Sequence, residues 1–147
     1  MEIEEFKKIV SDVLASRGFV KKGSYYYNDH DDLTIVIGIQ KSSFGESLYI
    51  NVGYVIKQLN PGLEKPRDVD GNVRTRFSFA EEPKTKDVFD LDDLGLDQSR
   101  LTRIIEENIH EYKVGSLEEL KALIQKKPVM LYQTTLNAKT LLGFETT

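Results

Sequence analysis

The chain has 147 residues, 20 Lys and Arg against 24 Asp and Glu, and a formal net charge of -4. A chain of this length buries a core without staples, and its complete lack of cysteine excludes disulfides, thiolate metal sites and a cysteine nucleophile. The acidic start, Met1-Glu2-Ile3-Glu4-Glu5, is the opposite of a secretory leader and no apolar run approaches membrane-spanning length, so a cytoplasmic protein of one domain, 1–147, is expected, without a global attraction to nucleic acid or anionic lipid.

The first element is an amphipathic helix over Glu2 to Ser16, with Ile3, Phe6, Val10, Val13 and Leu14 on one stripe and Gly18 as its stop. Tyr25 to Tyr27 end a first strand, and Asn28-Asp29-His30-Asp31-Asp32 form a turn. Leu33 to Lys57 is the one long run of period-two alternation and predicts a central hairpin. Leu33, Ile35, Ile37 and Ile39 share a face with Leu48, Ile50, Val52, Tyr54 and Ile56. Keeping both sets on one side admits registers such as Ile39 opposite Ile50 or Leu48, closed by a loop of about four to six residues with Ser43, Phe44 and Gly45 at its tip. The other face is mixed and carries Gly38 and Gly53.

Gln58 to Asn72 is irregular and rich in turn signals. Val73 to Phe79 predicts a strand with Val73, Thr75, Phe77 and Phe79 on one side and Arg74 and Arg76 on the other. Pairing with the hairpin, apolar side to the core, would place both arginines on the polar face with Tyr49 and Asn51. The loop Glu81 to Gly95 holds the acids Asp87, Asp90, Asp92 and Asp93. A helix follows over Asp97 to Tyr112, a capping box at Ser116-Leu117-Glu118-Glu119 opens another, Pro128 breaks it, and Val129 to Leu142 ends as a helix stopped by Gly143. The expected fold is α+β: an antiparallel sheet of about four strands with the N-terminal helix and the C-terminal helices on one face.

No constellation fixes a reaction. Read as a calcium loop from Asp90, the acidic cluster places Leu94 and Leu101 where ligands are needed, which leaves solvated loop acids with Asp97 as a helix cap. His30 among Asp29, Asp31 and Asp32 has turn spacing as much as ligand spacing, and His110 lacks a His-Glu-x-x-His partner. Ser42 and Ser43 lie beside a glycine without a nucleophile elbow. Two positive features remain. The polar sheet face, Gln40, Lys41, Tyr49, Asn51, Arg74 and Arg76, combines two bare glycines with guanidinium groups suited to carboxylate or phosphate; its alternative is an ordinary half-solvated sheet. The tyrosines 25, 26 and 27 with Phe44 suggest either strand packing or a contact surface.

The helix followed by Gly18-Phe19 and Lys22-Gly23, then Gln40-Lys41-Ser42, Tyr49-Ile50-Asn51-Val52-Gly53 and a closing Leu141-Leu142-Gly143, resembles the bacterial family known as domain of unknown function 4304. The first third of the chain carries most of the likeness. The resemblance implies a compact α+β domain with no assigned activity, and its recurrent positions map onto Gln40, Lys41, Ser42, Asn51 and Gly53. The functional expectation is a non-catalytic binding module that uses Arg74 and Arg76 for anions, Asn51 and Gln40 to orient them and Tyr49 as contact surface. Its partner would be another protein or a small anionic ligand, with no cofactor and no metal. The alternative is a small metal-assisted hydrolase built on the acidic loop and His30. Nucleic-acid binding through the basic side of the sheet is the weakest expectation.

Overall fold

The computed structural model describes residues 1–43 and 45–145, so Phe44 lies outside the described residues. Helix α1 (Ile3–Ser16) forms where the apolar spacing predicts, and turns Phe6, Ile9, Val10, Val13 and Leu14 inward. It ends in a Schellman arrangement: Gly18 takes a φ of 90°, its N–H donates to Ala15 O at 3.3 Å, and Phe19 N–H donates to Leu14 O at 3.0 Å.

The sheet is antiparallel and runs in chain order through β1 (Val20–Lys22), β2 (Tyr25–Asp29), β3 (Leu33–Lys41), β4 (Ser47–Ile56) and β5 (Val73–Arg76). A separate hairpin, β6 (Phe79–Glu81) and β7 (Lys84–Lys86), follows, and the short β8 (Phe89–Asp90) returns to pair with the start of β4. Among the described residues the main sheet therefore has six strands. The two beyond expectation, β1 and β8, are three and two residues long, too short for alternation to declare them.

Ile39 pairs with Ile50, one of the admitted registers, so the aliphatic ladder of both strands lies on one side. That side shares a hydrophobic cluster with α1, with α2 (Gln98–Tyr112) and with α3 (Leu117–Lys126), and α1 packs on α2. Asp97 caps α2, accepting from Arg100 N at 2.8 Å. Ser116 Oγ opens α3 by accepting from Glu119 N at 3.1 Å. After α3 the chain makes a 3-10 turn (Pro128–Gln133) and closes with α4 (Leu136–Leu142), ended by Gly143 at a φ of 82°.

Two expectations are corrected. The strand predicted over Val73 to Phe79 stops at Arg76, because buried Asn108 of α2 captures the backbone of Ser78: its Oδ1 accepts from Ser78 N at 2.9 Å and its Nδ2 donates to Ser78 O at 2.8 Å. The chain then leaves the main sheet and Phe79 starts the separate hairpin. The second correction concerns the polar face. Thr34, Val36 and Val55 on that face are 9%, 0% and 3% exposed, because the segment after β4 folds back across it. A 3-10 turn at Asp68–Asp70 lies so close to the sheet that a Cβ on Gly53 would stand 2.3 Å from Asp68 O. Asn72 fastens the far end of the crossing: its Oδ1 accepts from Ile56 N and from Asn60 Nδ2, and its own N–H donates to Tyr54 O.

Candidate binding groove at the sheet edge

The glycines that left the polar face bare are therefore seats for the chain's own Asp68 turn. What stays open is the end of that face beyond the turn. There β4 sets Asn51 opposite Arg76 and Gly53 opposite Arg74, while β3 sets Gln40 opposite Tyr49. Partners across an antiparallel ladder share a face, so Gln40, Tyr49, Asn51, Arg74 and Arg76 come together as the alternation requires. Lys41 does not join them. It pairs with Leu48, and the same alternation puts it on the opposite side of the sheet.

Four of these side chains form a relay. Gln40 Oε1 accepts from Asn51 Nδ2 at 2.8 Å, and Asn51 Oδ1 accepts from Arg76 Nε at 2.9 Å. The guanidinium of Arg76 lies over the Tyr49 ring, 4.0 Å from its centroid, a cation–π geometry, and reaches Asp87 with Nη1 to Oδ2 at 3.6 Å. Arg76 is thus held in a single orientation on the face. Arg74 is exposed, and among the described residues its guanidinium has no hydrogen bond, ion pair or ring contact.

Both arginines line a groove of about 270 Å³ at the edge of β5, together with Asn51, Val52, Thr75, Asp87, Val129, Met130 and Gln133. Residues whose side chains alternate to both faces of the sheet line the groove. Its first wall is the polar face, and its second is the 3-10 turn beside Val52 and Thr75, whose side chains belong to the other face. Asp87 and the turn residues were not legible as part of a site, because no spacing in the chain connects them to Arg74.

The other sequence candidates are engaged elsewhere. His30 bonds through Nε2 to Oδ1 of buried Asn28, whose Nδ2 donates to Gly18 O at 3.1 Å. Asp29 accepts from the Thr34 hydroxyl at 2.6 Å and pairs with Lys57 at 2.9 Å; the hydroxyl first and the ammonium second hold its carboxyl below the usual aspartate range. In the acidic loop Asp90 Oδ1 accepts from Asp92 N and Asp93 Oδ1 from Gly95 N, which are turn bonds. Among the described residues no group of three or more His, Asp and Glu side chains converges on a common point that could hold a metal ion. The tyrosines divide: Tyr26 is buried in the core, and Tyr27 donates its hydroxyl to Pro66 O at 2.8 Å, pinning the crossing segment.

The family described as "Domain of unknown function (DUF4304)" matches residues 10–119. The chain belongs to this family. The matched DUF4304 span runs from α1 into α3, so it takes in the whole sheet and both arginines and leaves the 3-10 turn at Pro128–Gln133 outside. Comparison with curated proteins and with solved structures returned no match. No helix among the described residues is long and apolar enough to cross a membrane.

Proposed function

We propose that the protein is a non-catalytic, cytoplasmic binding module that holds an anionic group of a partner protein in the groove at the edge of β5. The observation that carries this reading is the contrast between the two arginines. Arg76 is oriented by Asn51, Tyr49 and Asp87 before any ligand arrives, while Arg74 beside it is exposed with no bonding partner among the described residues. An oriented guanidinium loses little freedom on binding, and an unpaired one offers donors that need not be released from another acceptor. In this reading Gln40 and Asn51 position Arg76, and Tyr49 supports its flat face.

The test is capture of partners from a native lysate by the wild-type protein and by Arg74→Ala/Arg76→Ala, each protein recovered being quantified. At least one partner should be held by the wild type and depleted severalfold from the variant. Equal recovery of every partner by both forms would remove the groove as a binding site.

A further inference from the structure

The chemistry of the groove walls specifies more than an anion. Two arginines against Asp87 leave one net positive charge among the lining groups. A carboxylate carries one negative charge and neutralises this, whereas a phosphate monoester carries about 1.5 to 2 at neutral pH and would leave negative charge in excess. The volume of about 270 Å³ lies just below the roughly 300–1,000 Å³ of pockets for drug-sized ligands, and suits one side chain better than a nucleotide. The second wall is apolar. Val129 lines the groove and is 69% exposed, and Tyr132 is 87% exposed. In a 3-10 turn residues three apart eclipse one another, so these two exposed apolar side chains share one side of the turn, Val129 lining the groove and Tyr132 lying outside its lining.

The backbone of β5 adds a direction. Phe77 N–H donates to Ile50 O at 2.9 Å, and alternation of the ladder then turns the backbone groups of Arg76 away from β4. On the outer side of β5 the described residues provide a single bridge, Val73 to Thr134, so the edge beyond it is not covered by a strand. An extended segment laid along this edge sends consecutive side chains to opposite faces: one toward the polar face that Arg74 and Arg76 share, the next toward the other face, where Val129 lines the groove.

Resting on the binding function proposed above, we infer that the occupant is an extended segment of a partner protein in which an Asp or Glu is directly followed or preceded by a large apolar residue, the carboxylate meeting Arg74 and the apolar side chain meeting Val129 and Tyr132. Charge complementarity supplies the acid, the exposed apolar side of the turn supplies its neighbour, and the open edge supplies the extended conformation.

Selection from a phage-displayed library of random heptapeptides against the wild-type protein tests this. Enriched peptides should carry an acid adjacent to an apolar residue. For a synthetic peptide of that sequence, Arg74→Ala and Tyr132→Ala should each weaken binding by about tenfold or more, as should separating the two peptide residues by one glycine. Both protein positions are exposed, and thermal unfolding followed by circular dichroism checks that the variants fold. If Arg74→Ala weakens binding while Tyr132→Ala and the glycine insertion do not, the anion site stands and the acidic–apolar segment is overturned. If no peptide is enriched, the acidic–apolar segment is overturned and the lysate comparison alone decides the groove; if binding is indifferent to Arg74→Ala, both readings fall.

Discussion

Arg76 takes its orientation from three contacts on two stretches of chain: Asn51 of β4 accepts from Nε, Tyr49 of the same strand lies beneath the guanidinium plane, and Asp87 meets Nη1. The first two contacts follow from strand alternation and were expected as a shared face; the third depends on where a distant loop returns. Asp29 is the other residue whose surroundings set its chemistry. Its carboxyl is held below the usual range by the Thr34 hydroxyl and then by Lys57. A carboxyl with a depressed pKa in the folded state contributes stability at neutral pH, above its unfolded value, and that contribution is lost as pH falls through the folded value. Replacing Thr34 by Val removes the larger cause. The Asp29 carboxyl carbon, followed by NMR, should then titrate at higher pH than in the wild type, and an unmoved midpoint would assign the depression to another group.

At the scale of elements, the strands and helices form where periodicity and caps call for them, and the exceptions have local causes. The capping box at Ser116 and the glycine stop after α1 act through groups within a few residues, so composition alone locates them. The strand after Asn72 ends early because a side chain from another element, Asn108, satisfies Ser78 in place of a neighbouring strand. The crossing segment 57–72 is the strongest case. Its turn signals announced irregular structure, but nothing in them indicated that it returns over the sheet and occupies the glycines. Gly53→Ala tests this: a Cβ 2.3 Å from Asp68 O must displace backbone, and overpacking of this kind costs about 1–3 kcal/mol. Urea denaturation should show a loss of that size. A variant as stable as the wild type would contradict the close seating of the Asp68 turn.

Across the whole molecule, the sheet is tied to its helical layer by a polar contact inside an apolar core. Tyr54, fully buried on β4, donates its hydroxyl to Tyr112 O at 2.6 Å, where α2 ends. At the surface, Glu111, one residue earlier, links α2 to the end of α3 by meeting Lys126 and Lys127 at 3.3 and 3.7 Å. Tyr54→Phe keeps the packing and leaves the Tyr112 carbonyl without this donor, so chemical denaturation should report a loss of about 1–3 kcal/mol; no loss would mean that the carbonyl finds another donor. The α+β class, the parity of the hairpin register and the grouping of Gln40 with Tyr49 and Asn51 were determined by the sequence itself, because each depends on a period of two or 3.6 residues or on a cap only a few residues away; the choice of Ile39 opposite Ile50, and the pairing of β5 with β4 that brings Arg74 and Arg76 to the same face, were not. The covering of the polar face by the Asp68 turn, the early end of β5, and the meeting of Arg74 with Val129, Met130 and Gln133 were decided only in the tertiary structure. Those contacts join residues far apart in the chain, and they are selected by where backbone can approach backbone at glycine and where buried polar groups find partners, neither of which leaves a periodic mark in the sequence.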